Sequence, residues 1–468
     1  MRVTNKIIQN NSLTNINVNK TLQDRLSTMI STEKKIARPS EDPIVALRSL
    51  RLRTSVNQTE QYADKNVEDA KSWLTVTEDS IDTLTDIITD IRKQYVKGTS
   101  ETLQPADRKI ILENLEALSQ EVYNTGNADF AGRSVFTGFR TESTLTFQKQ
   151  EDIHYEIDET ESSVTLDSIT YVNQDASEYN ASTKEISRIR LSYDNLDATA
   201  PTLKIDGEAK TATPAALSSN PYKTVAENPD AIVYVPETGE ILFGENVAPS
   251  EDAKIEITYE KTKWKKGDLR PEHYFNSRDL TNNITYSSHS GEIEYNIGVN
   301  QYLRINTNAD ECFTHDIARD LQDTVNALNE QINIEKTISD IEAEIAGLDG
   351  TDVTAISNAN KRLDAAKKAK TFIDEKVTKL LGKNITKADE YMNRNSVALT
   401  NCGTRSKRLE LIENRLDTQL ASLKELKSEN EDADLAETAI RLSSAGYAYD
   451  ASLMSTAKIM KESLLNYL

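Results

Sequence analysis

Apolar positions recur every seven residues between residues 67 and 95. Val67, Leu74, Ile81, Ile88 and Tyr95 form one series, and Ala70, Thr77, Leu84 and Ile91 form a second, interleaved with it. A stripe this narrow belongs to a helix that packs against one or two others. The pattern begins softly near Ile44 and stops at Gly98. At about 1.5 Å per residue, a helix over 44–97 would be roughly 80 Å long. Its start is marked by Ser40-Glu41-Asp42-Pro43. Asp42 can cap, Pro43 suits the first turn, and the acids favour the positive helix end. Ahead of it Leu22, Leu26, Met29 and Ile36 make another apolar stripe. Behind it Pro105 opens a shorter helix with Ile111, Leu115, Leu118 and Val122 on one face.

The C-terminal part has the same character. Leu409, Ile412, Leu416, Leu420, Leu423 and Leu426 recur at steps of three and four. After Glu429-Asn430-Glu431-Asp432 a further amphipathic helix carries Leu435, Ala439, Leu453, Met460 and Leu464. Two helical stretches lie between Phe313 and Leu381, separated by Gly347-Leu348-Asp349-Gly350. The glycine turn predicts an antiparallel hairpin, with Ile338, Ile341 and Ile345 before it and Leu363, Phe372, Ile373, Val377 and Leu380 after it. Its Lys- and Glu-rich outer face is expected to project into solvent.

The middle of the chain changes period. Val164 to Leu166, Ala231 to Val235, Ile241 to Phe243 and Ile255 to Tyr259 read as strands, and Ile293 to Ile305 as a hairpin. Residues 197–230, rich in Ala, Thr, Pro and Ser, read as loop. The predicted fold is therefore mainly α with an inserted β domain: long paired N- and C-terminal helices in a coiled-coil-like bundle, and a central β-rich domain. The expected division is 1–35 and 431–468 as terminal helices that order on assembly, since stripes so thin are marginal alone. A long-helix bundle of 36–140 and 310–430 would carry the hairpin insert at about 335–392. Residues 141–309 would form the acidic central domain.

Charge sharpens this division. Of a net −21 over 468 residues, residues 141–309 hold −14, from 29 acidic and 15 basic side chains. So acidic a chain repels phosphate backbones, which argues against nucleic acid as a partner. The longest uninterrupted apolar run is the five residues from Ala231 to Val235, so no membrane-inserting helix is expected. Met1 to Asn11 lacks the apolar core of a cleaved secretory signal.

Candidate chemistry is sparse. Cys312 and Cys402 fit no zinc spacing and no disulfide framework. His154, His273, His289 and His315 are scattered, with no His-Glu-x-x-His and no glycine-rich phosphate loop. Lys261 to Lys266 (KTKWKK) is the one tight basic cluster with an aromatic, and reads as a solvated strand end. No catalytic, cofactor-binding or metal residue is assigned.

Four segments carry a resemblance. Asn127 to Gly138 (NADFAGRSVFTG), with Asn127, Phe130, Gly132, Phe136 and Gly138 in place, resembles the flagellin-family pattern that follows the N-terminal helices. Ile36 to Pro43 resembles the family's segment before its long helix. Gly403 to Glu410, with Arg405, Arg408 and Leu409 matching and Thr404 and Lys407 departing, resembles the opening of its C-terminal helix. Asp432-Ala433-Asp434-Leu435-Ala436-Glu437 resembles its Asp-x-Asp-x-Ala-Glu. The first four and last six residues resemble the branch of the family that joins hook to filament, rather than flagellin proper.

The resemblance implies a structural adaptor of the bacterial flagellum, extracellular and exported without a cleaved signal peptide. The alternative within the family is flagellin itself, the filament subunit. An enzyme carried by the central domain is the alternative of another class. Implied partners are hook-associated protein 1, flagellin, further copies in a ring, an export chaperone and the type III export apparatus. Leu22, Leu26, Met29, Leu435, Leu453, Met460, Leu464, Leu465 and Leu468 are the expected assembly contacts.

Overall fold

A computed structural model describes residues 5–100, 103–161, 166–175, 179–250, 253–288, 291–348 and 353–465. The chain is mainly α with an inserted β region. Its helices are α1 (Asn5–Thr32), α2 (Pro43–Gln61), α3 (Glu68–Gly98), α4 (Pro105–Thr125), α5 (Pro221–Glu227), α6 (Ala309–Cys312), α7 (His315–Gly347), α8 (Val353–Glu431) and α9 (Leu435–Leu465). The strands are β1 (Asp129–Phe130), β2 (Arg133–Ser134), β3 (Glu151–Glu161), β4 (Asp167–Asp175), β5 (Asn180–Arg190), β6 (Thr202–Ile205), β7 (Glu208–Thr211), β8 (Thr213–Pro214), β9 (Ile232–Val235), β10 (Glu240–Phe243), β11 (Ile255–Trp264), β12 (Asn276–Asp279), β13 (Ile284–Tyr286), β14 (Glu294–Gly298) and β15 (Gln301–Arg304).

Asp42 caps α2 by accepting from the Ile44 and Val45 N–H groups, with Pro43 at the first helical position. A wide π-helical turn at Tyr62–Val67 joins α2 to α3. Val67, Ala70 and the rest of both heptad series through Tyr95 are buried.

The chain divides into two compact units. One comprises 1–69, 296–302 and 409–468; the other comprises 70–295 and 303–408.

In the larger unit, α3 lies antiparallel to the 381–402 part of α8. Arg92 pairs with Asp389 at 2.7 Å, and the Cys402 thiol faces the Leu74 carbonyl. α4 runs antiparallel to α7, tied by Arg108–Glu335 at 2.6 Å and by the Tyr123 hydroxyl donating to the Thr314 carbonyl at 2.7 Å. α7 and α8 form an antiparallel pair through Lys376–Glu330, Lys367–Glu342 and Arg362–Glu344. The hairpin's lysine face stays exposed to solvent, with Lys379 68% and Lys383 46% exposed, and the tips of its lysines also reach the sheet. Lys368 donates to Asn180 at 2.8 Å, Lys379 pairs with Glu185 at 3.1 Å, and Lys383 pairs with Asp167, so that face also touches β4 and β5.

Two sheets make the β region. One has the order β4-β5-β10-β9-β8, the other β13-β12-β3-β11-β6-β7. The segment 197–230 is not loop: it supplies β6, β7, β8 and α5. Val164 and Thr165 lie outside the described residues. Gly403 does not open a helix. α8 runs through both Gly382 and Gly403, since one glycine costs a helix only about 1 kcal/mol and no proline or cap follows to end it.

The basic cluster is solvated at Lys263, Lys265 and Lys266, but not at Lys261. Along β11 the inward positions are Ile255, Ile257, Tyr259 and Lys261, and a register shift between Lys261 and Lys263 turns Trp264 inward as well. Lys261 is fully buried. Its Nζ donates to the Asp194 carbonyl at 2.5 Å, lies 3.7 and 3.5 Å from the Asp194 and Asp268 carboxylates, and sits 5.1 Å above the Trp264 ring.

Candidate assembly surface

The terminal helices belong to the smaller unit, and α1 pairs antiparallel with α9. Asn19 donates to the Ser452 hydroxyl at 2.6 Å, and Lys34 bridges to Asp432 at 2.5 Å at the other end. Backbone bonds from Lys35 N–H to the Glu431 carbonyl and from Ala433 N–H to the Glu33 carbonyl close the junction. Asp434 caps α9 by accepting from the Glu437 N–H, and Glu437 pairs with Arg441 one turn on.

Glu431 organises this junction. Its carboxylate takes a two-pronged bond from Arg53 at 2.7 and 2.8 Å and a short bond from the Ser49 hydroxyl. The Arg53 hydrogen bonds hold it below the usual carboxylate range. Lys34 does the same for Asp432. In the sequence Glu431 looks like part of an acidic break between helices. Its partners lie over 370 residues away in sequence, and no local pattern announces them.

What the pair does not do is bury itself. Leu26 is the one buried residue among the described side chains of α1, and in α9 the buried ones are Thr438 and Ala445. Of the expected contacts, Leu22 and Leu435 are each 45% exposed and Leu453 is 41% exposed, whereas Met29 is half-buried. Leu26, 6% exposed, packs inside the chain and is not a surface contact. The side chains of Met460, Leu464 and Leu465, and all of Leu468, lie outside the described residues. The surface also includes residues outside the stripes seen in the sequence: Ile7, Leu13 and Val18 on α1, and Ile440, Tyr447 and Met454 on α9. Their irregular spacing hid them, because a stripe is easiest to see where it packs at one period.

The residues of the family pattern have structural work within the chain. Asn127 donates to the Thr146 hydroxyl at 2.7 Å and accepts from its N–H at 3.1 Å. Phe130 meets Trp73 edge-on at 6.1 Å, and Phe136 meets Phe313 at 4.8 Å. Gly132 and Gly138 take positive φ, the conformation that favours glycine. Arg405 donates to the Asn306 carbonyl at 2.8 Å; Arg408 is exposed and Leu409 buried. Residues 3–141 match the model of the bacterial flagellin N-terminal helical region. This segment is flagellin-like.

Flagellar hook-associated protein 3 of Salmonella typhimurium is 26% identical to the chain over 144 residues, which are 31% of this chain and 45% of the relative. That of Escherichia coli is 28% identical over 115 residues, 24% of this chain and 36% of the relative. The chain thus matches less than half the length of these curated relatives. A solved structure of flagellar hook-associated protein 3 from Legionella pneumophila aligns with 81% of this chain and 98% of its own, at 11% identity and a TM-score of 0.31.

One histidine has neighbours the sequence could not give. His154 Nε2 lies 3.2 Å from Glu260 and 3.9 Å from Asp197, three half-exposed groups from two strands and a loop. His273 is buried, which pushes its pKa down to about 3. Among the described residues no helix is long and apolar enough to cross a membrane.

Proposed function

We propose that the chain is a structural adaptor of the bacterial flagellum, a junction protein of the hook-associated protein 3 type that joins the hook-associated region to the flagellin filament and acts by assembly, not catalysis. The observation that carries this reading is the pair α1 and α9: 28 and 31 residues long, flagellin-like in its N-terminal member, and with its apolar side chains exposed. Helices in proteins draw most of their stability from tertiary packing of one face, and these two bury little of theirs. Segments 1–35 and 431–468 therefore order fully when neighbouring subunits cover them. The bundle of 36–140 and 310–430 supports them, and residues 141–309 form the outer domain.

On this reading Leu22, Leu435 and Leu453, with Met29, Met460, Leu464, Leu465 and Leu468, meet hook-associated protein 1 on one side, flagellin on the other and sister subunits around a ring. The protein reaches the cell exterior through the type III export apparatus, escorted by a chaperone, without a cleaved signal. A deletion strain tests the proposal. Cells that keep the hook but shed flagellin into the medium fit it. Cells with normal filaments refute it. Purified chain that builds long filaments alone favours the filament-subunit reading. A chain ending at Ser463 should keep its helicity and lose junction activity.

A further inference from the structure

Ile257, Tyr259 and Lys261 of β11 point inward, which leaves Glu260 on the outer face of its sheet. There it meets His154 from β3 and Asp197 from the connection between β5 and β6, which crosses from one sheet to the other. His154 Nε2 lies 3.2 Å from the Glu260 carboxylate and 3.9 Å from that of Asp197. The three donor atoms all fall within 4.8 Å of one another. Each side chain is 30–37% exposed, so the point where they converge is open to water and ions.

Among the described residues neither Asp197 nor Glu260 forms an ion pair with a lysine or arginine, and both turn toward the same imidazole. Like charges this close repel one another, and a neutral imidazole offers a lone pair but no charge. The arrangement is held from behind. The His154 N–H donates to the Thr281 hydroxyl at 2.9 Å, and its carbonyl accepts from the Leu280 N–H at 2.8 Å. The Asp197 N–H donates to the Glu260 carbonyl at 3.0 Å, and its own carbonyl accepts from the Tyr234 hydroxyl at 3.1 Å. The Asp197 carboxylate accepts from the Thr262 hydroxyl at 2.7 Å. Outer contacts of this kind orient the ligands of a metal site.

We infer that His154, Asp197 and Glu260 bind a divalent transition-metal ion of the zinc type, with water in the remaining position. A tetrahedral zinc with bonds of about 2.0–2.2 Å holds its ligand atoms about 3.3–3.6 Å apart. The His154–Glu260 separation of 3.2 Å is already close to that, and rotation of the half-exposed Asp197 carboxylate closes the wider gap. Two carboxylates balance the two charges of the ion. The imidazole selects zinc over magnesium and calcium, which take oxygen ligands. A bound ion pins the crossover between the two sheets to the β3–β11 pair. The inference is independent of the flagellar reading.

Calorimetry on the full chain tests it, with Zn²⁺ as probe and Mg²⁺ as the oxygen-seeking control. One saturable Zn²⁺ site per chain is expected, with Mg²⁺ weaker by roughly tenfold or more. His154→Ala and Glu260→Gln should each weaken Zn²⁺ binding by roughly tenfold or more. Zn²⁺ should also raise the urea midpoint of the wild-type chain, because it binds the folded site and not the dispersed ligands. Should His154→Ala fail to fold, Glu260→Gln, which keeps the shape of the side chain, still decides. Absence of saturable Zn²⁺ binding, Mg²⁺ binding as tight as Zn²⁺, a wild-type urea midpoint that ignores Zn²⁺, or undiminished binding in either folded variant would each overturn the inference.

Discussion

Replacing Lys261 by Met removes a cation from the interior and leaves its shape nearly intact. The wild-type ammonium lies within 3.7 Å of two carboxylates and bonds the Asp194 carbonyl. Burial alone would raise the Asp194 carboxyl, and Lys261 beside it turns the shift downward. Asp268 stays above its ordinary value because burial outweighs the same lysine. Removing one member of a buried charge set costs about 3–5 kcal/mol. Asp194 and Asp268 are 29% and 20% exposed, so water screens part of the loss and the lower end, about 3 kcal/mol, applies. That is roughly a hundredfold in the folding equilibrium.

Urea unfolding followed by tryptophan emission reads it directly, because Trp73 and Trp264 both lie in the larger unit. The pH dependence carries the diagnosis. In the variant the two carboxyls have folded-state values above their unfolded ones, so the destabilisation is full above the folded values and fades as pH falls through them. The gap between wild type and Lys261→Met should therefore shrink from pH 7 to pH 4. A cost below about 1 kcal/mol, or a gap that does not change with pH, would show that Lys261 acts by packing its stem and not by its charge.

Phe136→Ala, at a fully buried ring edge-on to Phe313, should destabilise the larger unit by about 3–5 kcal/mol in the same unfolding assay. Cys402, pushed up to about 11 by burial, and Cys312, pushed higher still, should resist a thiol reagent at pH 8 until the chain unfolds; fast labelling of the native protein would contradict their burial. Because Arg53 depresses Glu431, the stability that pair lends is present above the ordinary carboxylate range and is lost as pH falls through the lower folded value. Amide exchange at Lys35 and Ala433 should accelerate there, and Arg53→Ala should give the fast rate already at pH 7.

The helices were legible because their information is local. Seven-residue spacing, the Asp42–Pro43 start and the Gly98 stop all lie within the element they describe. The β region was less legible because its inward positions are not uniformly apolar. In β3 the inward series is Ile153, Tyr155, Ile157 and then Glu159, which is buried among the Ser192 and Tyr259 hydroxyls. A pattern search ends at that glutamate although the strand does not. Lys261 misled in the same way: its partners lie 67 and 7 residues off, on loops whose approach only the folded sheet fixes. The meeting of His154, Asp197 and Glu260 gave no signal at all, since β3, β11 and the loop after β5 are far apart in the chain and come together only in the sheet.

The contact of α8 with β4 and β5 has a consequence for the order in which the chain can fold. Asp167, Asn180 and Glu185 meet Lys383, Lys368 and Lys379, which are made 188 to 216 residues later. A chain that emerges from its N-terminus has no means of covering that face when the strands first appear, and the acidic middle segment repels itself in the meantime. The contacts between that face and α8 therefore form only after a distant helix has been made, and a polypeptide held with its C-terminal part out of reach lacks them.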